Sequence, residues 1–144
     1  EINNLITNNI RINIIGKISN LPKKVKSRLI ESMKRTRHCK KILVNLAINY
    51  GSKDEIINAM KSIKKKNQNI STKTLSRNLY TNYIPDPDIL IRTGGKKRLS
   101  NFLLWQLAYS ELYFVNKLWP DFTTKDYHKV INHFKKVKRN FGRI

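Results

Sequence analysis

The stretch Asp86–Glu111, DPDILIRTGGKKRLSNFLLWQLAYSE, decides the fold class of this chain. Asp88-Ile89-Leu90-Ile91 is an extended apolar run that delivers Arg92 to its end and breaks at Gly94-Gly95, so a strand is expected to finish there. Lys96, Lys97 and Arg98 follow. Ser100-Asn101 then stand directly before Phe102-Leu103-Leu104-Trp105-Gln106-Leu107-Ala108, which reads as the start of a buried helix with Ser100 as its N-cap. Such a junction favours an anion. First-turn N–H groups would lack internal acceptors, Arg92 and Arg98 carry forked guanidinium groups that grip phosphate through two hydrogen bonds, and the glycines would admit close backbone approach. Two arginines on one loop suit a diphosphate better than a single phosphate. The alternative is an ordinary strand–turn–helix link with solvated basic side chains; the order strand, Arg, Gly-Gly, Arg-x-Ser, apolar helix favours the anion site.

Upstream of this stretch, strands and helices alternate. Residues Glu1 to Thr7 look like the last turns of an amphipathic helix, so the chain opens in mid-element. Arg11 to Ile15 reads as a strand closed by Gly16, and Val25, Leu29 and Met33 recur at helical spacing after Pro22, as in a surface helix. Ile42 to Ile48 is apolar apart from Asn45, as expected of a strand covered on both faces in a parallel sheet. Ser52-Lys53-Asp54-Glu55 has a capping-box pattern that should open a helix carrying Ile56, Ile57, Met60 and Ile63. Lys64 to Asn69 should end it in a solvated loop, and a short helix is expected around Thr72 to Tyr80. Pro85 and Pro87 then hold an extended approach to Ile89. Downstream, Leu112 to Val115 suggests a short strand and Trp119 to Phe122 a turn. Thr123-Thr124-Lys125-Asp126 forms a second capping box, before a helix with Tyr127, Val130, Ile131, Phe134 and Val137 on one face. The pattern predicts an α/β fold with a largely parallel central sheet flanked by helices, where ligands sit at the carboxyl ends of strands.

The length of 144 residues suits one domain, 1–144. No apolar run is long enough to span a bilayer and no signal-peptide pattern opens the chain, so a soluble, cytoplasmic protein is expected. Cys39 is the single cysteine and reads as structural; His128 and His133, five apart, align poorly for metal and read as surface residues. Thirty Lys and Arg against nine Asp and Glu give a formal +21, a field that attracts polyanions or an anionic membrane. The basic residues are spread through the chain without a nucleic-acid motif or an aromatic ladder, so nucleic acid is not the expected partner.

The sequence resembles the cis-prenyltransferases, most closely the bacterial undecaprenyl diphosphate synthases. The resemblance is carried by Asp88 to Gly95, Arg98 to Gln106, Tyr109 to Phe114 and Leu118 to Phe122, and more weakly by Ile14-Ile15-Gly16 and Asn45 to Gly51. It implies the cis-prenyltransferase fold with its N-terminal part absent from the chain. It also implies condensation of isopentenyl diphosphate with an allylic diphosphate to an undecaprenyl carrier for cell-wall sugars. By position, Arg92, Arg98 and Ser100 would hold isopentenyl diphosphate, with Leu99 contributing through its backbone, and Glu111 would be a ligand of Mg²⁺. Arginines and a hard, oxygen-liganded cation suit diphosphate charge. On an unbroken helix Glu111 would stand about 15 Å beyond Asn101. Either the helix stops near Tyr109 and the chain returns, or Glu111 reaches a site formed with a second chain of a homodimer. The alternative is a buried or interfacial carboxylate satisfied by an arginine.

This sequence departs from the family pattern in several places. The family's Asp-Gly-Asn-Gly-Arg-Trp motif, whose Asp serves catalysis, is not in this chain, so no catalytic residue is assigned here. Lys96 and Lys97 stand where relatives usually have an acidic and then a polar residue, and the relatives' Arg-x-Gly aligns with Asn140-Phe141-Gly142, flanked by Arg139 and Arg143. Three readings follow: the C-terminal portion of a cis-prenyltransferase, a non-catalytic or degenerate partner subunit of the same fold, and a basic nucleic-acid binder. The first is preferred. With it come transient membrane association for the lipid product, a place at the inner membrane face, and poor solubility of the isolated chain through uncovered apolar sheet.

Overall fold

In the computed structural model, which describes residues 1–139, the apolar runs form strands where their composition requires. The chain divides into two compact units, Glu1–Asn82 and Tyr83–Ile144. In the first, β1 (Ile10–Gly16) and β2 (Ile42–Ile48) pair in parallel, Ile12 beside Val44 and Ile14 beside Leu46. Helices α1 (Ile2–Thr7) and α2 (Lys23–Arg35) pack on β1. Ile12 and Ile15, on opposite faces of β1, are buried. The buried Thr36 receives the Ile12 N–H at 3.0 Å and donates to the Ser32 carbonyl at 2.7 Å, so the helix end closes onto the strand.

Two expectations are corrected in this unit. The strand β2 is not covered on both faces: Ile42 is 49% and Leu46 38% exposed, because α1 and α2 lie on β1 and β2 has one strand neighbour among the described residues. The capping box at Ser52 does not form either. Helix α3 (Ser52–Lys65) takes Gly51 as its N-cap without a side-chain bond. Glu55 is only 1% exposed and accepts from the Tyr80 N–H at 2.7 Å and the Tyr50 hydroxyl at 2.5 Å. A buried carboxylate takes the donors in reach, here the half-buried Tyr50 hydroxyl and Tyr80 N–H. It thereby ties α3 to the residues after α4 (Thr72–Asn78), against which Ala59, Ile63, Leu75 and Leu79 are buried.

In the second unit β3 (Ile89–Arg92) and β4 (Glu111–Phe114) pair in parallel, Ile89 beside Glu111 and Arg92 beside Phe114. A 3-10 turn spans Trp119–Asp121, and α5 (Thr124–Phe134) carries the expected capping box, Thr123 and Asp126 each accepting from the other's backbone N–H. His128 and His133 are at the surface, and Cys39, in the first unit, is a buried free thiol.

The expected helix over Phe102–Ala108 is absent. The chain winds through successive turns, closed by bonds such as Phe102 N–H to Leu99 C=O at 3.0 Å and Leu107 N–H to Leu103 C=O at 2.9 Å. Ser100, Asn101 and Leu103 have φ of 50°, 62° and 44°, a left-handed conformation that a right-handed helix excludes. The cause is a tether: the Arg92 guanidinium draws the Arg98 carbonyl and the Ser100 hydroxyl to the end of β3, and the backbone turns to follow.

Candidate functional site

Arg92 ends β3, and its carbonyl accepts the Val115 N–H at 2.8 Å beyond β4. The glycine pair then docks on the same segment, Gly94 N–H on the Lys117 carbonyl at 2.7 Å and Gly95 N–H on the Val115 carbonyl at 3.0 Å. The N–H donors of both glycines are thus satisfied within this unit. Gly95, at φ +70°, also lies so close to Asn116 that a Cβ would stand 3.3 Å from its Oδ1. The glycines therefore fix the loop, and the anion-binding capacity passes to side chains.

Those side chains converge. Arg92 Nη1 donates to the Arg98 carbonyl and, at 2.9 Å, to Ser100 Oγ, so Ser100 is a partner of Arg92 and not a helix cap. A cleft of about 330 Å³ opens between Arg92, Thr93, Arg98 and Ser100 on its polar side and Ile91, Leu99 and Phe102 on its apolar side. The Arg98 guanidinium is exposed, with no hydrogen bond or ion pair among the described residues. Lys96 and Lys97 are exposed beside it. Among the described residues no carboxylate lines the cleft, so cationic potential is concentrated at its mouth. Such a site can hold an oxyanion through forked, charge-assisted bonds with an apolar substituent against its wall. The structure thus brings together Arg92, Arg98, Leu99 and Ser100 of the expected site. Thr93 was missed, although its place between Arg92 and Gly94 was the available signal.

Glu111 is elsewhere. It begins β4 beside Ile89, its N–H on the Asp88 carbonyl at 2.9 Å, whereas Arg92 is beside Phe114. Three strand residues, about 10 Å, separate the two ends. The chain does return after Tyr109, through turns and not from a helix end, but it returns to the far end of the strand pair. There the Glu111 charge, together with burial, raises the titration of the Tyr113 hydroxyl above its ordinary value, burial being the larger cause. Arg139 belongs to the same end. It donates to Asp88 Oδ1 at 2.5 Å and to the Tyr109 carbonyl at 3.0 Å, with its guanidinium over the Phe134 ring. The Asn140-Phe141-Gly142 and Arg143 positions lie outside the described residues.

Among the described residues no group of three or more His, Cys, Asp or Glu can hold a metal ion. Glu111 offers one carboxylate, and these residues do not by themselves form a Mg²⁺ site.

An isoprenyl transferase of Clostridium acetobutylicum is 44% identical over 154 residues, covering 100% of this chain and 60% of the relative. The chain thus spans about three fifths of the length of the curated relatives it matches. A crystal structure of a "probable undecaprenyl diphosphate synthase" from Campylobacter jejuni superposes with a TM-score of 0.91 at 39% identity, over 99% of this chain and 67% of that one. Lavandulyl diphosphate synthase from Lavandula x intermedia, in complex with dimethylallyl diphosphate, gives 0.91 at 31% identity, over 99% and 65%. The α/β architecture with parallel strands is that of these neighbours. A prenyltransferase family profile described as undecaprenyl diphosphate synthase matches residues 1–142, and on that match the chain belongs to the undecaprenyl diphosphate synthase family of prenyltransferases.

Proposed function

We propose that this chain carries the isopentenyl diphosphate site of a cis-prenyltransferase. The enzyme joins isopentenyl diphosphate to an allylic diphosphate of farnesyl type and builds an undecaprenyl diphosphate carrier for cell-wall synthesis. The observation that carries this reading is the gathering of Arg92, Arg98 and Ser100 around a cleft that no carboxylate lines among the described residues, with Leu99 on its wall. Isopentenyl diphosphate keeps its own diphosphate during condensation, so this site must hold its anion rather than release it. Two guanidinium groups and a hydroxyl suit that task, and the apolar wall suits the alkenyl group.

Mg²⁺ belongs to the proposal as a neutraliser of diphosphate charge. Glu111 would supply one carboxylate, and diphosphate oxygens and water the remaining positions, in a homodimer that brings Glu111 of one copy to the cleft of another. A cytoplasmic protein meeting the inner membrane face transiently completes the reading. The alternative is a non-catalytic or degenerate partner subunit of the same fold.

Calorimetric titration with isopentenyl diphosphate and Mg²⁺ tests the site. Arg92→Ala is expected to weaken binding about a hundredfold, roughly 3 kcal/mol for the loss of charge-assisted bonds; equal binding by the variant overturns the assignment. A fusion to a relative's N-terminal segment that folds and binds isopentenyl diphosphate but forms no product favours the partner subunit.

A further inference from the structure

Helix α3 ends in a second cleft, of about 480 Å³, in the first unit. Ile57, Met60, Lys61 and Lys64 follow at helical spacings and form one stripe along its wall, and Ile70 lines the same cleft. The turn between them is fixed. Asn67, at φ +51°, places its N–H on the Lys64 carbonyl and the Gln68 N–H on the Ile63 carbonyl, both at 3.1 Å, the paired bonds of a Schellman closure. Asn78 then locks the turn, accepting from Ser62 Oγ at 2.9 Å and Lys66 Nζ at 3.0 Å and donating to Gln68 Oε1 at 3.3 Å. The cleft is therefore preformed. Yet Ile57 is 53% and Ile70 71% exposed, so its apolar rims project instead of sinking into the floor. The ammonium groups of Lys61 and Lys64 beside them make no hydrogen bond or ion pair among the described residues, and no carboxylate among those residues lines the cleft.

We propose that this cleft docks on an anionic phospholipid bilayer, with Ile57 and Ile70 entering the acyl region and Lys61 and Lys64 at the lipid phosphates. Projecting aliphatic side chains suit a soft medium that closes around them. Long lysine stems can lie along the apolar surface while their ammonium groups stay at the interface. A second copy of the chain is disfavoured as occupant, since each carries +21. The assignment gives a surface to the membrane association in the proposed function and rests on that part of it, not on the diphosphate chemistry.

The test measures co-sedimentation of the full chain with phosphatidylglycerol vesicles, against phosphatidylcholine vesicles. Ile57→Ser with Ile70→Ser keeps the net charge and is expected to weaken binding to the anionic vesicles about tenfold, from lost apolar insertion. A control pair of exposed residues elsewhere, Val25→Ser with Leu118→Ser, is expected to bind as wild type. A polarity-sensitive dye on Ile70→Cys is expected to shift to the blue on phosphatidylglycerol alone. Wild-type binding by the Ile57/Ile70 pair, equal loss in the control, or a dye that stays in water overturns the proposal. Loss of self-association in that pair without a change in vesicle binding assigns the cleft to a second copy. Capture of an acidic amphipathic peptide in place of vesicles assigns it to a protein partner. The same variants titrated with isopentenyl diphosphate separate the two proposals, because Arg92→Ala should lose the diphosphate and keep the vesicle, and the Ile57/Ile70 pair the reverse.

Discussion

At the end of β2 the chain passes through Asn49, Tyr50 and Gly51 into the regular helix α3, whereas at the end of β3 it passes through Gly94 and Gly95 into turns. Both junctions have the same sequence pattern, an apolar strand, glycine and a helical apolar run. The difference lies in where their charged side chains go. Glu55 turns inward to Tyr50 and Tyr80 and leaves the helix regular; Arg92 reaches forward to Arg98 and Ser100 and bends the backbone that follows. One junction is a structural lock. The other sacrifices a helix to hold an arginine, a second free arginine and a hydroxyl around one cleft.

The largest effect expected from breaking this contrast is that of Arg92→Ala, which removes both the tether and a cation of the cleft. Beyond the hundredfold loss in titration, the variant frees Ser100 and Asn101 from their left-handed turns. Arg92→Lys sharpens the point: it keeps the charge but cannot span the Arg98 carbonyl and Ser100 Oγ with one planar fork. Lys should therefore recover only a minor part of the affinity, and full recovery would mean that charge alone matters.

At the first junction the expected loss is in stability. Glu55→Gln keeps the shape but turns an amide N–H₂ toward one of the two half-buried donors around this buried position, which costs about 2 kcal/mol by chemical denaturation. Affinity for isopentenyl diphosphate should not change. A neutral result would show that Glu55 is not the lock between α3 and the Tyr80 backbone.

What the sequence could reveal follows from how local each cause is. The β1, β2 and β3 strands were legible because a short run of branched apolar residues bounded by Gly or Pro has little other use. The α5 start was legible because Thr123 and Asp126 are three residues apart and satisfy each other. The Ser52 capping box failed on the same reasoning because Tyr80, 25 residues on, outcompeted the helix end for Glu55. The Phe102 helix failed because apolar periodicity cannot register a guanidinium arriving from a strand. The nearness of Arg92, Arg98 and Ser100 was nevertheless legible, since residue type and order survive a change of backbone. The Arg139–Asp88 contact, spanning 51 positions, left no local trace.

A smaller effect belongs to Ser100. Ser100→Ala should weaken isopentenyl diphosphate binding about fivefold, near 1 kcal/mol for one hydrogen bond. Ser100→Gly separates the hydroxyl from the backbone, because glycine relieves the left-handed φ of 50°. Equal losses in both variants assign the effect to the hydroxyl; wild-type affinity in the glycine variant would assign it to the backbone.

The smallest effect reaches the cleft from behind. Asp126 Oδ2 accepts from Lys117 Nζ at 2.8 Å, Thr123 Oγ1 at 2.7 Å and Thr123 N–H at 2.9 Å, and Lys117 also gives its carbonyl to Gly94. The Lys117 hydrogen bond first, then the two from Thr123, hold the Asp126 carboxyl well below the usual carboxylate range. A depressed folded value means that the unfolded chain takes up its proton first as the solution is acidified. The contribution of Asp126 is therefore complete above the ordinary carboxylate value near 4 and fades as pH falls below it through the folded value. Asp126→Asn should accordingly melt below wild type at pH 7, with the gap narrowing steadily as the pH falls below about 4. Because the glycine loop rests on Lys117, isopentenyl diphosphate affinity at pH 7 should fall slightly in the same variant. A gap in melting temperature that persists unchanged at pH 2 would show that Asp126 acts there by shape and not by charge, and that the loop does not depend on its carboxylate.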